Sequence, residues 1–222
     1  SRGLGDVYKR QIYMLWTRLK KDDFETNVVD VLKEMSAIAK ERLGDLRASD
    51  FTEIYLFFDY DGHNNNIPQQ FRGNDILDEM LQTFNNETEL GKLYVSYPMI
   101  ESIKEIDLET KDYRTLYLAL DEILDYKQSV FSRSDFNNYN RLDQVHWFIA
   151  CNASRKRASL LAKQNSLCTY DYFIHNLNQD KLYFYQKKNY INNGHLLCIL
   201  NSVPLFLLEY YQEEFWDNVT AV

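Results

Sequence analysis

The chain has 222 residues, of which 45% are hydrophobic, 26% charged and 15% aromatic, so it can build a core and is not a disordered chain. Its 25 Lys+Arg stand against 33 Asp+Glu, a net charge of −8 that argues against a general electrostatic grip on nucleic acid. No apolar run reaches the ~20 residues of a membrane span and no signal-peptide core is visible, so the expectation is a soluble, cytoplasmic protein without a membrane partner. Three cysteines, Cys151, Cys168 and Cys198, fit neither a disulfide frame nor a zinc knuckle and read as buried free thiols.

The first eleven residues, SRGLGDVYKRQ, read unlike the rest, with two of the seven glycines among the first five positions. DVYKRQ can be written GAT-GTG-TAT-AAG-AGA-CAG, which looks like the transposon end of a sequencing adapter. Residues 1–11 are therefore expected to be a non-native scar, to be excluded from fold reasoning as a tag would be. On this reading the natural N-terminal strand is lost.

Ile12–Trp16 is a short apolar run that predicts a strand. Asp22 and Asp23 can cap a helix with apolar positions Phe24, Val28, Val31, Leu32, Met35, Ile38 and Leu43, closing near Gly44. Ile54–Phe58 is continuously apolar and predicts a strand buried on both faces, as in the middle of a parallel sheet. Asn74 and Asp75 open a helix carrying Ile76, Leu77, Met80, Leu81 and Phe84. Leu93–Tyr97 predicts the next strand, stopped by Pro98. The order strand–helix–strand–helix–strand predicts an α/β layer with right-handed crossovers over residues 12–105. Residues 106–222 predict an all-helical region packed on that domain. Its markers are a stripe from Tyr113 to Leu124, weaker helical patterns over 135–165 and 168–187, and an apolar helix from Leu196 to Trp216 broken near Pro204.

The chemistry concentrates in Tyr55-Leu-Phe-Phe-Asp59-Tyr-Asp61-Gly-His63. Asp59 and Asp61 sit two residues apart at a strand's carboxyl end, where period two points them to one side. Open α/β folds bind ligands at that end. Two like charges so placed call for a shared cation, and carboxylates suit Mg²⁺ or Mn²⁺. The alternative is a plain acidic turn at Gly62. Glu101, just past the next strand, is either a third ligand or a first-turn glutamate complementing a helix dipole. His63 is either an acid/base group or phosphate-orienting residue, or an exposed loop histidine. Two basic groups, Arg155-Lys156-Arg157 with Lys163 and Lys187-Lys188, could form a local groove beside Tyr183, Phe184 and Tyr185, or simply solvated helix faces.

A strand ending in D-x-D-x-H, a helix, and a strand running into S-x-P-x-x-E (Ser96, Pro98, Glu101) resembles the Toprim catalytic domain, closest to the RloB-type and abortive-infection nucleases. The resemblance covers roughly residues 12–105. It implies a Rossmann-like parallel sheet with helices on both faces, in which Asp59 and Asp61 bind a divalent metal for phosphodiester hydrolysis of DNA or RNA. Pro98 and Glu101 match its later motif, and His63 its histidine. It further implies a general acid/base glutamate on an N-terminal strand, which has no match here, and a setting in bacterial anti-phage defence with an ATPase as one candidate partner. Phe57-Phe-Asp59-Tyr-Asp61-Gly62 also resembles the first motif of haloacid-dehalogenase phosphatases, with Asp59 as nucleophile and Ser96 as the phosphate-binding hydroxyl. Against that stands His63 where Thr or Ser is usual. A third reading is a non-catalytic interaction module holding a structural ion.

Overall fold

The computed structural model describes residues 4–60, 75–105, 117–134, 141–164 and 166–221 of a mixed α/β protein. Its contacts divide into two compact units, Ser1–Leu93 and Tyr94–Val222.

In the first unit, helix α1 spans Leu4–Lys21. The predicted strand Ile12–Trp16 is thus helical. Ile12, Leu15, Trp16 and Leu19 are all buried, and their spacing of three and four is a helix face that a five-residue window could not distinguish from a strand. The helix expected from Phe24 to Leu43 is two, α2 (Val28–Met35) and α3 (Ala37–Leu43). Ser36 lies between them with extended backbone, closing α2 through its N–H and capping α3 with its hydroxyl, which accepts from Ala39 N at 3.2 Å. Gly44 ends α3 at φ 51°, as expected.

Strand β1 is Tyr55–Asp59, α4 is Ile76–Thr83, β2 is Asn85–Asn86 and β3 is Gly91–Ser96. The sheet order is β1–β3–β2, with β2 antiparallel to β3. Ile54 O accepts from Lys92 N at 2.9 Å, so β1 and β3 begin at the same end of the sheet. A Cβ on Gly91 (φ 98°) would meet Ile54 Cγ2 at 3.0 Å, which is why glycine stands at this close approach. The expectation that β1 is a doubly buried central strand is corrected: among the described residues it is an edge, and Phe57 is 43% exposed. The central strand is β3, with Leu93, Tyr94, Val95 and Ser96 all buried. Helix α4 follows the prediction: Asp75 Oδ1 accepts from Asp78 N at 3.3 Å, and Ile76, Leu77, Met80 and Leu81 are buried.

The second unit continues from β3 into a 3₁₀ segment, Ile100–Glu105. It is not all-helical. Tyr117–Ala119 forms β4, antiparallel to β5 (Leu196–Cys198), with Tyr117 opposite Cys198. Both stretches were expected to be helical. The helices are α5 (Ile123–Arg133), α6 (Gln144–Leu161), α7 (Tyr170–Asn176), α8 (Gln179–Gln186), the short α9 (Asn192–Gly194), α10 (Ser202–Tyr210) and α11 (Gln212–Thr220). A π-helical turn, Lys187–Ile191, joins α8 to α9. The break expected at Pro204 falls instead between Tyr210 and Gln212 (φ 61°); Pro204 is buried in the first turn of α10, where no N–H is needed.

Candidate functional site

Asp59 is the last residue of β1 and is partly exposed. The Phe58 ring meets Tyr13 of α1 edge-on at 5.8 Å, so alternation places Phe57 and Asp59 on the strand face turned away from α1. Asp61 and His63 lie outside the described residues.

Glu101 stands in the first turn of the 3₁₀ segment, in the second unit, and its side chain is 13% exposed. Its carboxylate pairs with Lys127 of α5, a lysine that sequence reasoning did not single out. The segment carrying Glu101 is held by a buried amide: Asn201 Nδ2 donates to Ile100 O at 2.8 Å and to Ser102 Oγ at 2.9 Å, while its Oδ1 accepts from Val203 N at 3.0 Å. Asn201 therefore caps α10 and fixes the backbone around Glu101 at once. The only local sign in the sequence is an N-cap residue type before Ser202-Val-Pro204.

Ser96, assigned to phosphate binding in the phosphatase alternative, is 1% exposed. Its hydroxyl lies 2.7 Å from Ser202 Oγ and accepts from Ser202 N at 3.2 Å. It is built into the core rather than presented to a ligand. Among the described residues no three His, Cys, Asp or Glu side chains gather as a metal site. A groove beside α1 is lined by Arg18, Lys21, Asp22, Thr26, Val31 and Glu34. Three of its ionic groups have partners within it, Arg18 pairing with Glu34 and Asp22 accepting from Thr26.

His146 caps its own helix with Asp143, and His175 pairs with Asp171 one turn earlier. Both are local helix features. All three cysteines are free and buried. Burial pushes the Cys151 and Cys198 thiols up to about 12, and Cys168 rises for the same reason.

No family model matches the chain, and neither a curated protein nor a solved structure matches it. No helix among the described residues is long and apolar enough to cross a membrane.

Proposed function

We propose that the chain is the metal-binding part of a Toprim-type nuclease that hydrolyses phosphodiester bonds with Mg²⁺ or Mn²⁺. The observation that carries this reading is a β1–α4–β3 unit in which both strands start at one end and β1 finishes on Asp59. Neighbouring strands with a common start, joined through a helix, make a parallel crossover. The carboxyl end of its first strand is where an α/β layer presents ligand-binding groups. Asp59 holds that position, and Asp61 and His63 follow it in sequence. The donors are carboxylates, which fits a hard divalent ion. Such an ion, when bound, would polarise the phosphoryl oxygen and activate water.

In this reading Asp59 and Asp61 hold the ion, Glu101 is a third acid whose charge Lys127 balances, and His63 serves as acid/base or phosphate-orienting group. β1 is an edge among the described residues, where a further strand bearing the family's acid/base glutamate would add. The cytoplasmic anti-phage setting and an ATPase partner rest on the resemblance.

The test is incubation of the chain with single- and double-stranded DNA and RNA in Mg²⁺ or Mn²⁺. Cleavage by the wild type and its loss in Asp59→Asn, with unchanged thermal stability, is expected. Hydrolysis of small phosphomonoesters with phosphate trapped on Asp59 would establish the phosphatase instead. Neither activity, with a partner still bound by Asp59→Ala, would establish the interaction module.

A further inference from the structure

The two basic clusters of the sequence have different fates in the fold. Arg155 and Arg157 of α6 are core residues, 8% and 3% exposed. Arg155 Nη2 donates to Asn152 Oδ1 at 2.9 Å, and its guanidinium lies 5.3 Å from the Trp216 ring centroid. Arg157 Nη2 donates to Glu105 O at 3.2 Å. Neither is on a surface that could hold a ligand.

The other cluster is outside. Lys181, Phe184, Lys188 and Asn192 are all exposed and follow one another at intervals of three or four along α8 and the π-helical turn. They therefore form a single stripe. Phe184 is 46% exposed. Lys188 Nζ lies 5.4 Å from its ring centroid, and Tyr185 meets it edge-on at 5.5 Å. Beside the stripe, Lys187 Nζ lies 4.6 Å from the Tyr183 ring. The stripe is thus ammonium, aromatic face, ammonium, amide.

The stripe lies in acid-free sequence. In a chain with 33 acidic residues, none occurs between Asp180 and Glu209. Acids on neighbouring elements include Asp121 and Glu122, next to Leu120, whose N donates to His195 O at 3.0 Å, and Asp171 of α7, next to Tyr172, whose phenol hydrogen-bonds with that of Tyr185. Local positive charge on an acidic protein selects an anionic partner while the rest of the surface repels one. A ring flanked by cations selects further: an unpaired base can stack on it while adjacent phosphates meet the lysines. A duplex hides its base faces and would leave Phe184 unused.

We propose that the Lys181–Phe184–Lys188 stripe is a contact surface for a single-stranded polynucleotide, Phe184 stacking on a base and the two lysines meeting phosphates. The inference takes its substrate class from the nuclease reading, but binding needs no cleavage.

The experiment is fluorescence anisotropy of the full chain with labelled oligodeoxythymidylate and oligouridylate in EDTA, over a salt series. The wild type binds. Phe184→Ala weakens binding roughly 5- to 100-fold with the salt slope unchanged, since it removes stacking alone. Lys181→Gln with Lys188→Gln lowers the slope of log affinity against log salt by about 1.4, two phosphate contacts at single-strand density. All three side chains are exposed, so circular dichroism should show an unchanged fold. No wild-type binding in EDTA, variants that bind like the wild type, or displacement by duplex or by phosphatidylglycerol vesicles better than by unlabelled single strand would each overturn the proposal. Metal-dependent cleavage without stripe-dependent binding would remove the stripe and leave the nuclease. Stripe-dependent binding without cleavage would keep the stripe and remove the nuclease.

Discussion

Cys198 lies in β5 with its backbone gripped at both ends by one side chain. Gln186 Nε2 donates to Cys198 O at 2.7 Å, and Cys198 N donates to Gln186 Oε1 at 3.0 Å. The glutamine is 0% exposed and stands in for a neighbouring strand. Replacing it with leucine would leave a buried N–H and C=O without partners, so Gln186→Leu should lower unfolding free energy by about 1–3 kcal/mol in denaturant titration. The thiols give a pH dependence of known sign. From the ordinary thiol value of 9.0 up to about 12, the folded chain keeps protons on Cys151 and Cys198 that the unfolded chain releases. Stability should therefore fall as pH rises through that window. At neutral pH the native protein should resist an aromatic disulfide reagent, and all three cysteines should react in denaturant. Fast reaction of the native chain would contradict their burial.

At the scale of elements, the legible parts were those whose packing is local. Helix α4 was readable because its cap and its apolar face lie within a few residues of each other, and Met80 is 0% exposed. Met80→Ala should cost about 2–5 kcal/mol, measured by chemical denaturation. The central strand β3 was readable from its apolar run and the proline beyond it. What was not legible depended on distant partners. Tyr117–Ala119 takes strand form because Leu196–Cys198 pairs with it, a relation that no window around Tyr117 contains. The same pairing removes Leu196 from the helix its apolar run predicted. Ile12–Trp16 failed for another reason: five apolar residues satisfy both periods, and only burial of Leu19 with Leu15 and Trp16 distinguishes them. Of the candidate site, the strand-end position of Asp59 was legible. The Lys127 partner of Glu101 and the Asn201 anchor beneath it were not, because both come from elements distant in sequence.

For the whole molecule, the acidic balance and an acid-free stretch after Asp180 belong to one account: weak general affinity for polyanions, with a local surface that reverses it. The two compact units carry different parts of that account, the strand-end acid in the first and the basic aromatic stripe in the second. The central claim remains that the carboxylates at 59 and 61 share a cation. Titration of the metal-free chain with Mn²⁺, followed by loss of its free-ion paramagnetic resonance signal, measures that most directly. The account predicts saturable uptake by the wild type, competed by Mg²⁺ and at least tenfold weaker in Asp59→Asn. A wild type that takes up no Mn²⁺, or a variant that binds it equally well, would contradict it.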